Sequence, residues 1–210
     1  MVLNKLVVAG VNFPELNDSV VRAHLLGKFE FIGFVDDRAS KIPVQINGFP
    51  VIGEWNELLN IDCLVINSVA KNCNVRKEAS IKLELLNAKI SGLIDSNIHA
   101  SCDIHNTSIL LDESFFGQKV SVGANSIIHR GAHLGHDVVI QENCFLGPRV
   151  VCLGRSHVAS NSFIGAGAIL VDGVRIGRNS VIAAGSVVFN DIPDGSIVIG
   201  NPAKLVGKNE

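Results

Sequence analysis

From Ile98 to Val188 every sixth residue is apolar: Ile98, Ile104, Leu110, Phe116, Val122, Ile128, Leu134, Ile140, Leu146, Cys152, Val158, Ile164, Leu170, Ile176, Ile182 and Val188. No insertion breaks that register. The residue after each is often Gly or Ala, as at Gly123, Gly135, Gly147, Ala159, Gly165, Gly177 and Ala183. The fifth place of each six is mostly small or β-branched, from Ala132, Val138, Cys144 and Val150 to Ser180 and Ser186. A period of six matches neither the 3.6 of a helix nor the simple alternation of a half-exposed strand. About half of ordinary residues are apolar, so chance does not account for an unbroken run of this length. The pattern is that of a hexapeptide β-helix, whose short strands stack so that each turn buries one apolar side chain in a shared core. Small residues let the backbone turn tightly and neighbouring coils approach closely.

The first 95 residues have a different rhythm. Lys5 to Ala9 reads as a buried strand ending at Gly10, and Pro14 to Leu26 as a helix with Leu16, Val20, Val21 and His24 on one face. Phe29 to Val35 reads as a second strand running into Asp36-Asp37, and Gly48 to Gly53 as a short extended piece. Trp55 to Leu59 predicts a helical turn and Asp62 to Asn67 a third buried strand. Val75 to Leu86 predicts an amphipathic helix, and Lys89 to Ile94 a further strand. Apolar strands alternating with helices imply a parallel sheet covered by helices, a small α/β Rossmann-like domain. The expected division is therefore 1–95 for this domain, 96–190 for the solenoid and 191–210 for a C-terminal tail.

Composition narrows the function. The chain is 47% hydrophobic and 18% charged with a net charge of −2. It has no basic footprint for nucleic acid and no Lys/Arg run for a membrane surface. Met1 to Gly10 lacks the build of a signal peptide, and no apolar run reaches the roughly 18 residues that span a bilayer. The five cysteines (Cys63, Cys73, Cys102, Cys144, Cys152) form no C-x-x-C pair. They read as buried free thiols of a reducing cytoplasm.

Two places could carry chemistry. In parallel sheets ligands bind beyond the carboxyl ends of the strands, which here carry Gly10, Asn12, Asp36 and Asp37. Gly10 lets backbone approach a ligand, the following helix start favours an anion, and an Asp after the second strand can accept from a ribose or a base. The bland alternative is a tight turn and a solvated acidic turn. The second place is among the histidines, six of whose seven lie in the solenoid: His99, His105, His129, His133, His136 and His157. Such residues in repeat loops are more often surface decoration. His136 differs, because it follows Leu134-Gly135 and precedes Asp137. A carboxylate beside a histidine can fix its tautomer and make it a better base. His129, His133 and His136 have spacings that suit zinc on a helix face, but this segment is not helical, and no metal is expected.

Taken together, the chain resembles the family of sialic acid O-acetyltransferases and bacterial nucleotide-amino-sugar N-acetyltransferases of the bacillosamine and perosamine pathways. The residues that carry the resemblance are Gly33-Phe34-Val35-Asp36-Asp37, Gly48-Phe49-Pro50-Val51-Ile52-Gly53, Leu134-Gly135-His136-Asp137 and Ile199-Gly200-Asn201-Pro202-Ala203-Lys204. The likeness implies a left-handed parallel β-helix and a homotrimer with active sites between neighbouring solenoids. It implies acetyl-CoA lying along the coils, and a nucleotide-linked amino sugar bridging the N-terminal domain and the adjoining solenoid. His136 matches the family's catalytic base and Asp137 the acidic residue beside it. Gly154, Ala166 and Ala184 match positions lining the CoA groove. The chain departs from the family at Val11-Asn12-Phe13-Pro14, where a Ser-Gly-His-Gly type turn is frequent. It departs again at Phe145, where some members carry a second histidine near the thioester.

The function these observations imply is N-acetylation of a 4-amino or 3-amino sugar carried on a nucleotide. His136 would act as general base. A main-chain N–H of a Gly-rich coil would face the oxyanion. Three alternatives stay open at this point: sugar O-acetylation, a metal-dependent hexapeptide protein of the γ carbonic anhydrase kind, and a non-catalytic scaffold.

Overall fold

A computed structural model describes residues 3–70, 72–96 and 98–209 of the chain. It divides into two units, Met1–Leu93 and Ile94–Glu210.

The first unit is built on strands whose side chains are apolar on both faces. β1 (Lys5–Ala9) is followed by α1 (Pro14–Leu25), β2 (Glu30–Val35), β3 (Gln45–Ile46), β4 (Phe49–Gly53), a 3₁₀ turn over Trp55–Asn60, β5 (Leu64–Asn67), α2 (Cys73–Leu85) and β6 (Lys89–Ile90). The sheet order is β3-β4-β2-β1-β5-β6, parallel throughout except for the β3–β4 hairpin. Leu6 to Ala9, Phe34, Val35, Val65 and Ile66 are buried, as strands covered on both faces require. Pro14 opens α1, where its missing N–H costs nothing. The Asn72 side chain caps α2 by accepting from the Val75 N–H at 2.8 Å. In α1 the buried apolar residues are Leu16, Val20 and Ala23, while Val21 and His24 are only half-buried. The predicted strand from Lys89 to Ile94 is interrupted: Ser91 and Gly92 break it, and Ile94 already belongs to the second unit.

In the second unit two-residue strands stack in three parallel sheets. Partners along each sheet are eighteen residues apart, as in Phe115, His133, Val151, Ile169 and Val187. Three sixes therefore make one coil with three faces and three corners. Every residue of the apolar sixes from Leu110 to Val188 is buried, and Ile98 and Ile104 in the first coil are half-buried. Each buried Leu, Ile or Val stabilises the stack by about 1.5–3 kcal/mol relative to exposure. From Glu113 to Gly185 each corner turns through a residue in the left-handed region, including Asn125 (φ 55°), Asp137 (56°), Asn143 (54°), Asn161 (62°) and Asn179 (52°). Asn and Asp tolerate that conformation better than most residues. At one corner they also form a ladder: Asn125 donates to Asn143, and Asn143 to Asn161, both at 2.8 Å.

The chain after residue 190 continues this architecture. Ser196–Ile199 pairs parallel with Val181–Ile182, and Lys204–Lys208 lies antiparallel against it, covering the last coil's edge. Four of the cysteines are buried, but Cys102 is only half-buried. No helix among the described residues is long and apolar enough to cross a membrane.

The glycines that follow the apolar sixes mark where coils touch. A Cβ built on Gly165 would lie 2.5 Å from the Ala184 amide nitrogen and 2.9 Å from the Ala183 carbonyl carbon. Backbone cannot yield as a side-chain tip can, so Gly165→Ala is expected to lower solenoid stability by about 1–3 kcal/mol. Urea unfolding is the check, with an unchanged midpoint contradicting this account of coil stacking.

Candidate functional site

The corner that follows the strand His133–Leu134 carries Gly135, His136, Asp137 and Val138. It is fixed from both neighbouring coils. The Asp137 N–H donates to the Gln118 carbonyl at 2.9 Å, and the Arg155 N–H donates to the His136 carbonyl at 2.8 Å. The positive φ of Asp137 folds its carboxylate back toward the preceding side chain. His136 Nδ1 and Asp137 Oδ2 consequently lie 2.8 Å apart, with both side chains about half exposed (55% and 47%). The adjacency in sequence is thus a contact in space, which neighbours on a straight strand would not make.

The hydrogen bond from His136 holds the Asp137 carboxyl below the usual carboxylate range, helped by the charges of Lys119 and Arg155. Asp137 is therefore ionised at neutral pH and can only accept. The proton between the two therefore sits on His136 Nδ1, and in the neutral imidazole the lone pair is on Nε2.

Nε2 faces the next coil. A Cβ built on Gly154, eighteen residues after His136, would lie 2.6 Å from Nε2 and 2.8 Å from Cε1. The same Cβ would lie 3.0 Å from Oδ1 of Asp172, one coil further on. Oδ2 of Asp172 is bound by the Arg155 guanidinium. The Gly154 carbonyl accepts from the Gly173 N–H at 2.9 Å. Among the described residues the Gly154 N–H makes no backbone hydrogen bond.

The other solenoid candidates lie elsewhere on the coil. Ala166 and Ala184 are exposed and stack eighteen apart on the corner between the face of Phe163 and the face of Ile169. Phe145 is half-buried on a flat face, stacked on Phe163 with ring centroids 4.8 Å apart. Of Phe145, Gly154, Ala166 and Ala184, Gly154 is the one placed beside His136 among the described residues. Among the described residues no group of three His, Cys, Asp or Glu is placed to hold a metal ion. His129, His133 and His136 fall on a corner, a face and a different corner.

In the first unit the strand ends do converge. A cleft of about 680 Å³ is lined by Gly10, Asn12, Asp36 and Asp37 together with Arg38, Trp55, Ser68 and Lys82. Gly10 has φ 95° and sits 2.9 Å, by a Cβ built on it, from Ser68 Oγ, so no side chain fits there. Ser68 Oγ donates to the Gly10 carbonyl at 2.7 Å. Arg76, buried beneath, donates from Nη1 to the carbonyls of Asn67 (2.6 Å) and Val69 (3.1 Å) and so fixes the cleft's back wall. Burial lowers its pKa to about 9, which leaves it charged at neutral pH.

Asp36 differs from the free acceptor expected of it. Its Oδ1 accepts from the Arg38 N–H and Nε, both at 2.9 Å, and its Oδ2 from Nη2 at 3.0 Å. Burial alone would raise its pKa, but Arg38 and the Val11 amide outweigh that and hold it below the usual range. With the Asn12 amide oxygen turned toward Arg38, it accepts from Nη1 at 3.2 Å and Nη2 at 3.0 Å. Asp36 thus holds Arg38 in place, and Arg38 presents the polar surface. Asp37 is more open, 54% exposed, and binds Lys82 Nζ, which stands 4.7 Å over the Trp55 ring. Sequence reasoning missed Arg38, Ser68, Lys82, Trp55, Arg155 and Asp172. For Asp172 a signal existed, since it lies two eighteen-residue coils after His136.

Residues 119–154 and 155–190 each match the bacterial transferase hexapeptide (six repeats) family. Both matches lie within the solenoid. No curated protein matches the chain by sequence. Among solved structures, the acetyltransferase domain of PglB from Neisseria gonorrhoeae, in complex with acetyl coenzyme A, is 27% identical with a TM-score of 0.86. That alignment covers 97% of this chain and 100% of that one. PerB from Caulobacter crescentus, in complex with CoA and GDP-perosamine, is 23% identical, covers 97% of each chain and has a TM-score of 0.86. WeeI from Acinetobacter baumannii is 22% identical, with 96% and 99% coverage and a TM-score of 0.82. The resemblance drawn from the sequence motifs thus extends over nearly the whole chain, both units included.

The tautomer is directly measurable. Long-range ¹⁵N–¹H correlation at neutral pH is expected to give His136 protonated on Nδ1, and Asp137→Ala is expected to release it toward the Nε2-protonated form. An Nε2-protonated ring in the unmodified protein would contradict the arrangement.

Proposed function

We propose that this protein is an acetyl-CoA-dependent N-acetyltransferase acting on a nucleotide-linked amino sugar. The observation that carries the reading is the His136–Asp137 pair, whose free Nε2 overlooks a glycine with an open amide. The likeness to the PglB acetyltransferase domain, solved with acetyl coenzyme A, supports the acyl donor. The likeness to PerB, solved with CoA and GDP-perosamine, supports a nucleotide-linked amino sugar as acceptor.

In this reading the first unit is a Rossmann-like nucleotide domain. Gly10 gives backbone access, Arg38 and Lys82 offset the diphosphate charge, and Asp37 accepts from the ribose or base. Chemistry belongs to the solenoid corner. An attacking amine must be neutral, and Nε2 of His136 takes a proton from the arriving ammonium. The new C–N bond forms at the thioester carbonyl, and the Gly154 N–H stabilises the oxyanion. The C–S bond then breaks, the imidazolium returns its proton to the leaving thiolate, and Nε2 takes the second amine proton and passes it to solvent. Asp137 keeps the ring in one tautomer throughout.

His136 and the small-residue positions Ala166 and Ala184 lie at different corners of the solenoid, in different coils. A neighbouring solenoid has to bring them together, which favours a homotrimer with Phe145, Ala166 and Ala184 lining the pantetheine path from the second chain. We assign the protein to the cytoplasm, where acetyl-CoA and nucleotide sugars are available, and assign it no metal.

The test is thiol release from acetyl-CoA with UDP- and GDP-linked 4-amino and 3-amino sugars. One amino-sugar nucleotide should give rapid release, and His136→Ala should lower turnover by about 10²- to 10⁴-fold with the assembly intact. Near-normal turnover in the variant would reject His136 as base. Release only with a hydroxyl acceptor such as sialic acid would move the protein to O-acetylation.

A further inference from the structure

Gly154 has no side chain between two residues that do. The 2.6 Å from its Cβ position to His136 Nε2 and the 3.0 Å to Asp172 Oδ1 bound the separation of those two atoms at about 5.6 Å. Among the described residues no hydrogen bond or ion pair joins them. At a separation within that bound, one ligand atom lying over Gly154 and off the line between the two can hydrogen-bond to both. Both protein atoms are acceptors. In the neutral ring Nε2 carries the lone pair, since Nδ1 donates toward Asp137. Asp172 is turned by Arg155, which takes Oδ2 and leaves Oδ1 toward Gly154. The charged groups around this gap are Asp137 on Nδ1, Arg155 on Oδ2, and Lys119, which acts on Asp137.

Two converging acceptors select a ligand atom with at least two hydrogens. We infer that Asp172 binds the acceptor's ammonium opposite His136 and makes the site selective for amines over hydroxyls. This rests on the acetyltransferase reading above. An alkylammonium donates one N–H to Oδ1 and one to Nε2. After Nε2 takes its proton, the neutral amine keeps its bond to Asp172 and turns its lone pair to the thioester. A hydroxyl has one hydrogen and no charge, so in its place one acceptor, the carboxylate or the base, turns to water and the charge-assisted bond of the ammonium is lost. Asp172 is a specificity residue by this argument, and the same feature separates N- from O-acetylation.

The experiment compares the wild type with Asp172→Ala and Asp172→Asn. It measures kcat and KM for the amino-sugar nucleotide that serves as substrate, KM for acetyl-CoA, and calorimetric affinity for that nucleotide sugar and its hydroxyl counterpart. The expected result is a loss of about 10- to 100-fold in amine affinity for both variants, the worth of one charge-assisted hydrogen bond. The hydroxyl counterpart and acetyl-CoA should change by less than about 3-fold, within the range of ordinary surface substitutions. Equal loss for amine and hydroxyl, or unchanged amine affinity, would overturn the assignment. If the wild type binds amine over hydroxyl but transfers no acetyl group, the enzymatic reading fails while the ammonium assignment is still decided by the binding data.

Discussion

Residues eighteen apart in this chain are neighbours in space, and everything in the second unit depends on that spacing. Backbone N–H groups of one coil donate to carbonyls of the next, as Gly135 does to Cys152 and Gly147 to Ile164, both at 2.8 Å. The apolar sixes fill the axis, and left-handed corner residues close each turn. The bonds between coils are the parallel-sheet ladder, and a single insertion would shift every residue after it to a different face or corner. The unbroken register from Ile98 to Val188 therefore fixes more than the fold. It stacks His136 above Gly154 and Gly154 above Asp172.

That column is where we propose the chemistry takes place. Asp137 occupies a conformation that costs a non-glycine residue about 1 kcal/mol, and the coils on either side hold it there. The result is a carboxylate bonded to the ring beside it, a defined tautomer and a lone pair directed over a bare glycine. The first unit works by another logic. Its cleft lies at the carboxyl ends of β1, β2 and β5, with β1 at the centre where the chain reverses its direction of winding. Pairing of Asp36 with Arg38 and Asp37 with Lys82 keeps that cleft polar without leaving a buried charge alone.

The fold was largely legible because its signals are periodic. The six-residue repeat marked the solenoid strands from Asp103–Ile104 to Val187–Val188 but not Ser196–Ile199 or Lys204–Lys208, which were expected to be tail, and apolar runs such as Leu6 to Ala9 and Leu64 to Ile66 marked the parallel sheet. What failed was local. Lys89 to Ile94 reads as one strand by composition, yet Ser91-Gly92 ends the sheet before the first coil begins. At the site, His136 and Asp137 were readable because they are adjacent. Asp172 was not, since an isolated Asp-Gly looks like any turn until the coil length is counted. Asp36 was misjudged for a similar reason: Arg38, two residues on, looks like a surface cation but folds back to occupy the carboxylate.

The central claim is that His136 and Gly154 form the acyl-transfer site. Gly154→Ala tests it most directly, because the added methyl would fall 2.6 Å from Nε2 and meets side-chain tips rather than backbone from its neighbours. The chain should fold with a melting temperature close to that of the wild type while His136 is pushed aside. Acetyl transfer from acetyl-CoA to the amino-sugar nucleotide should then fall by at least about 10-fold, since a misplaced base loses most of its catalytic worth. Full turnover in a well-folded Gly154→Ala protein would contradict the account.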